Sequence, residues 1–106
     1  MMALQRYAGN PVLHPGLVPF PASLVFNAGV CKFKGSYVMV FRNDVGFSPA
    51  GWNHAECYTN LGIARSRDGV KWEVDPKPWQ VPVEIIRSNP DFCRFYDPRL
   101  TVIGEK

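Results

Sequence analysis

Between Leu24 and Val74, strand-forming runs alternate with turns marked by glycine, and this rhythm restricts the chain to short antiparallel strands. Residues 24–34 are β-rich and end at a tight turn, Lys34-Gly35-Ser36. Residues 37–42, Tyr-Val-Met-Val-Phe-Arg, return as the partner strand, and apolar residues on both of its faces predict cover on both sides. Residues 58–66 form a third strand, with Leu61, Ile63 and Arg65 on one face and Gly62, Ala64 and Ser66 on the other. The second face is small enough for close packing. Asp68-Gly69 closes a hairpin in which the Asp68 side chain bonds back to turn amides and Trp72 packs between sheets. Residues 71–74 supply a short fourth strand. Four sequential antiparallel strands make a meander, the unit of one β-propeller blade or a piece of a sandwich.

The other segments are loop-like. Ten prolines and nine glycines disfavour helices. Residues 10–23 are too proline-rich for a central strand and read as an entry segment lying over the surface. Residues 43–57 read as a long loop, of a length that is commonly functional. Its Trp52 could stack on a sugar ring or plug the core, and His54 has no partner that would make it a base or a ligand. Residues 75–82 leave the sheet as an extended connector, and 83–95 read as a loop with at most one helical turn. Residues 100–103 read as a new strand with no partner, and Gly104-Glu105-Lys106 as the start of a hairpin turn. The expectation is a truncated product or the leading piece of a longer protein.

Composition narrows the partners. The net charge of +3 is small and its cations scattered, which argues against nucleic acid and membrane surfaces. No apolar run reaches spanning length and no signal peptide is evident, so a cytoplasmic location is expected. The three cysteines, Cys31, Cys57 and Cys93, lack metal-ligand spacing and read as reduced structural thiols.

Two places carry candidate chemistry. Pro98 fixes its own φ and pushes Asp97 toward extended geometry, holding a carboxylate stiffly at a strand entrance. Arg99, two residues on, points to the same side of an extended chain. Such a pair suits a sugar-processing site, but paired Asp and Arg more often mark a capped strand start with a surface ion pair. Asn27 and Arg42 fall at one end of the first hairpin, where they could bind a ligand or form a hydrogen-bonded lid over the hairpin mouth.

Taken in order, Asn10-Pro11-Val12-Leu13, Phe26-Asn27-Ala28-Gly29, Phe41-Arg42-Asn43-Asp44, Asn60-Leu61-Gly62-Ile63-Ala64-Arg65-Ser66, the Ser66 to Trp72 turn and Tyr96-Asp97-Pro98-Arg99 resemble the N-terminal part of glycoside hydrolase family 130, the β-mannoside phosphorylases. Each motif is weak alone; their order across nearly the whole chain is fairly specific. The resemblance implies an all-β fold: the first blade and the start of the second blade of a five-bladed β-propeller, with residues 1–106 as the N-terminal part of a single catalytic domain. It implies Asp97 as general acid, Asn27 and Arg42 as residues holding the mannosyl unit, and Arg99 as a supporting residue. Asp44 matches a position where the family commonly carries Glu.

The implied reaction is inverting phosphorolysis of a β-mannoside, releasing mannose 1-phosphate, with inorganic phosphate as co-substrate and no other cofactor or metal. The substrates to test first are β-1,4-mannosyl-glucose and short mannooligosaccharides. Phosphate is already an anion, so one catalytic carboxyl is enough and the nucleophile needs a cradle of cations instead. Asp97 must be protonated to act, which burial in a dry channel favours and nearby Arg99 opposes. The family's phosphate-binding residues lie in later blades, so the 106 residues alone are expected to be inactive and the full-length parent to be the enzyme, possibly a homo-oligomer. The alternatives are a non-catalytic carbohydrate-binding fragment and a β-mannoside hydrolase.

Overall fold

The computed structural model describes residues 3–48, 51–52, 58–79 and 98–106. Its strands are β1 (Leu24–Phe33), β2 (Ser36–Val45), β3 (Phe47–Ser48), β4 (Gly51–Trp52), β5 (Tyr58–Ser66) and β6 (Glu73–Val74). A four-stranded antiparallel sheet has the order β1-β2-β5-β6, and β3 and β4 form a separate two-stranded ribbon between β2 and β5 in the chain. One short 3₁₀ helix, Pro15–Leu17, precedes the sheet. The protein is therefore all-β in its described residues.

The expected meander is present, with three differences. β2 runs three residues past Arg42, taking Asn43, Asp44 and Val45 out of the expected loop. These residues pair with Asn60, Thr59 and Tyr58 of β5 in unbroken register. The fourth strand is shorter than expected, at Glu73–Val74. Residues 100–103 form no strand; Ile103 and Lys106 instead exchange two backbone hydrogen bonds of 3.0 and 3.1 Å across a tight turn.

Side chains alternate across β2 and β5, so each face has its own character. One face carries Met39, Phe41 and Ala64, the buried apolar residues among those described. The expected small face of β5 has a specific use: a Cβ at Gly62 would overlap the Phe41 ring, which lies directly on the glycine. The entry segment does more than lie over the surface. Leu13, Val18 and Phe20 pack on this cluster with Val25, Trp72 and Val74, and the Phe20 and Phe41 rings stack with centroids 6.5 Å apart. Asn43 anchors the same segment, its Nδ2 donating to the Pro21 carbonyl at 3.0 Å and to Asn60 Oδ1 at 2.8 Å.

The Ser66 to Trp72 turn is built much as its chemistry predicts. Asp68 Oδ1 accepts from the Val70 and Lys71 amides, both at 2.9 Å, and Ser66 Oγ accepts from the Gly69 amide at 2.8 Å. Trp72 Nε1 donates to the Gly69 carbonyl at 3.1 Å, and its ring packs on the sheet's own core cluster.

Candidate functional site

The site begins at an irregularity in β1. Phe26 pairs with Arg42, but the next matched pair is Gly29 with Val40, so Asn27 and Ala28 bulge out of the ladder. Asn27 sits at φ 51, in the left-handed region that asparagine tolerates better than most residues. Bulges of this kind re-aim side chains at sheet edges. Here the bulge leaves Asn27 exposed at the wall of an open cleft of about 430 Å³.

The opposite wall comes from the far end of the chain. Pro98, Arg99 and Leu100 line the same cleft. They approach β1 so closely that a Cβ built on Gly29 would overlap the Pro98 carbonyl oxygen and stand 3.2 Å from Arg99 Cα. The structure thus brings Asn27 and Arg99 to one cleft from motifs distant in the sequence. Asp97 lies outside the described residues, as do His54 and residues 83–95, and the Trp52 side chain is likewise not described.

Arg42 and Asp44 have a different setting. Both belong to β2 and share the face opposite the apolar cluster. Arg42 Nε and Nη2 donate to Asp44 Oδ1 and Oδ2 at 2.9 and 2.7 Å, a bidentate pair. Thr59, directly opposite in register, donates its hydroxyl to Asp44 Oδ1 at 2.8 Å. The guanidinium carbon lies 4.5 Å from the centroid of the Phe26 ring, over its face. Arg42 is 5% exposed and Asp44 1%. The backbone therefore puts Arg42 next to the Asn27 bulge, as the hairpin reading requires, while its guanidinium is committed to an internal ion pair.

Sequence reasoning gave no role to Thr59, to the Phe26 ring or to Gly29. The signal for the first was available once β2 was extended to Val45, because Asp44 then faces Thr59 across the ladder. The constraint at Gly29 depends on a contact with Pro98, far away in the sequence, and has no local signature.

Among the described residues no group of three or more His, Cys, Asp or Glu side chains could hold a metal ion. Among the same residues, no helix is long and apolar enough to cross a membrane. Cys31 is a half-buried free thiol; Cys57 and Cys93 lie outside the described residues. No protein-family model matches the chain, and neither the curated proteins nor the solved structures contain a match to it.

Proposed function

We propose that the chain is the leading part of a β-mannoside phosphorylase with a five-bladed propeller fold, and that the Asn27–Arg99 cleft is where the mannosyl unit binds. The observation that carries this reading is the meeting of the Phe-Asn bulge with Pro98 and Arg99, the described part of the Asp-Pro-Arg motif, in one cleft. These are the two motifs to which the family resemblance assigns sugar binding and acid catalysis. The all-β antiparallel sheet is compatible with a propeller blade.

In this reading Asn27 presents its carboxamide, a donor and an acceptor, to sugar hydroxyls. Asp97 gives its proton to the 3-hydroxyl of the mannosyl unit, whose own proton passes to the glycosidic oxygen. A phosphate oxygen attacks C1 from the opposite ring face as the bond to the leaving sugar breaks, which inverts the anomeric carbon. Mannose 1-phosphate and the shortened sugar are the products. Arg99, exposed at the cleft, supplies positive charge beside the reacting groups. Arg42 contributes through the β2 framework, where it holds Asp44 and covers Phe26.

The same internal pairing favours a second reading, a carbohydrate-binding module without catalysis, since it leaves fewer polar groups turned toward a ligand. The discriminating experiment is an assay of the complete protein with β-1,4-mannosyl-glucose, with and without inorganic phosphate. Phosphate-dependent release of mannose 1-phosphate, lost in Asp97→Asn with sugar binding retained, is the expected result. Turnover in phosphate-free buffer would instead indicate a hydrolase, and sugar binding without turnover a binding module.

A further inference from the structure

We infer that the Asn27–Arg99 cleft takes a phosphoryl group carried on a sugar, and that Arg99 is the residue that holds it. That the sugar is mannose rests on the proposed function; the preference for an anion stands on the cleft itself.

Charge decides the class of ligand. Of the described residues that line the cleft, Arg99 alone is charged, and no carboxylate among them opposes it. Arg42, on β2, is buried and its guanidinium is committed to Asp44. Arg99 is exposed and forms no ion pair or hydrogen bond among the described residues. Such a guanidinium presents its N–H donors in a planar fork that matches phosphate oxygens.

The facing wall adds donors of its own. Asn27 and Ala28 leave the ladder at the bulge, so their backbone N–H groups are not taken by β2. The Asn27 carboxamide, exposed on the same wall, offers a further N–H donor. Successive amides beside a left-handed residue form the kind of concavity that binds anions, and Asn27 is at φ 51.

The remaining lining argues for an ester rather than free phosphate. Ala28, Val30, Pro98 and Leu100 give the cleft apolar walls, and Val30 is 50% exposed. Free phosphate has no surface that gains from such walls, whereas the C–H face of a pyranose does. By contrast, the open cleft at the Arg67–Lys71 turn is lined by Asp68 and Glu73 as well as by Arg65, Arg67 and Lys71, and its mixed charges favour neither sign. On the proposed function the ester is mannose 1-phosphate, so the cleft holds the product of phosphorolysis.

Binding to the full 106-residue chain, followed by amide NMR and isothermal titration, tests this with mannose 1-phosphate, inorganic phosphate and mannose as probes. Mannose 1-phosphate is expected to shift the Asn27, Ala28 and Arg99 amide resonances and to bind more tightly than inorganic phosphate. Its advantage over mannose should be at least about tenfold, since hydrogen bonds to a charged group are worth about that factor or more. Arg99→Gln should remove this advantage, and Arg99→Lys should restore part of it. Equal affinity for mannose and mannose 1-phosphate, or an advantage undiminished in Arg99→Gln, would overturn the inference. Inorganic phosphate binding as tightly as the ester would overturn it too, by marking a site for the free anion. In the complete protein, equal inhibition of phosphorolysis by mannose 1-phosphate in wild type and Arg99→Gln would sink the inference and leave the reaction standing. If no mannose 1-phosphate is released while ester binding still depends on Arg99, the proposed reaction falls and the phosphoryl site remains.

Discussion

Removing Arg42 should destabilise the sheet far more than loss of a surface ion pair. In Arg42→Met the guanidinium over the Phe26 ring gives way to a thioether, itself a favourable neighbour for an aromatic ring. What disappears is the bidentate partner of Asp44, whose carboxylate is 1% exposed and then keeps the Thr59 hydroxyl. Breaking a buried pair from one side costs about 3–5 kcal/mol, because the remaining charge is neither solvated nor neutralised. A domain of this size has about 5–15 kcal/mol in total, so the loss is a large share of it. With a urea m-value of about 1–2 kcal/mol/M, a cost of about 4 kcal/mol moves the midpoint down by about 2–4 M. Trp72, packed on the core cluster, provides the fluorescence signal. The companion variant Arg42→Met/Asp44→Leu/Thr59→Val replaces the whole polar cluster with apolar groups. It should recover to within about 2 kcal/mol of the wild type, because desolvation no longer opposes folding. A cost under about 1 kcal/mol for Arg42→Met, the range of exposed pairs, would refute the buried geometry. A triple variant no better than the single one would refute it as well.

Other expectations follow from the same contacts. Gly62→Ala should cost about 1–3 kcal/mol by overpacking, since the new Cβ meets the Phe41 ring. Phe41→Leu in that background should restore part of the loss in thermal melts, and an unchanged melting point for Gly62→Ala would contradict the packing. The amides of Lys71 and Val70, with the Ser66 hydroxyl, hold the Asp68 carboxyl below its ordinary value. A lowered folded-state pKa contributes stability that is present above the ordinary carboxylate range and lost as pH falls through the folded value. The wild type should therefore exceed Asp68→Asn by a constant margin above about pH 5, and the margin should shrink below about pH 4. A margin independent of pH between those limits and pH 3 would refute this.

How far the sequence disclosed the fold depends on whether each signal was local. The turn at Lys34–Gly35, with both residues at positive φ, and the Ser66–Asp68–Trp72 turn are set by neighbouring residues and were readable directly. β2 was cut short because asparagine and aspartate are poor strand formers. Here long-range bonds overrule that preference: Asn43 to Asn60, and Asp44 to Thr59. Residues 100–103 have strand composition but meet no partner among the described residues, and composition alone does not form a ladder. For the site, the register of the first hairpin was inferable, and it places Arg42 beside the bulge. The direction of the Arg42 guanidinium was not, because it depends on Asp44 being in the strand at all. The close approach of Pro98 to Gly29 was not inferable either, because the two residues lie far apart in the sequence.

The register of β1 against β2 also sets how far the cleft lies from the turns. Phe26, next to Asn27, faces Arg42, six residues along β2 from Ser36, where the Lys34–Gly35 turn ends. At about 3.4 Å per residue the bulge therefore stands roughly 20 Å from that turn, and Tyr37 facing Ser66 puts the Arg67–Lys71 turn at the same end. A fluorophore, purification handle or inserted reporter module belongs on those distal turns, where it can follow ligand uptake without obstructing it.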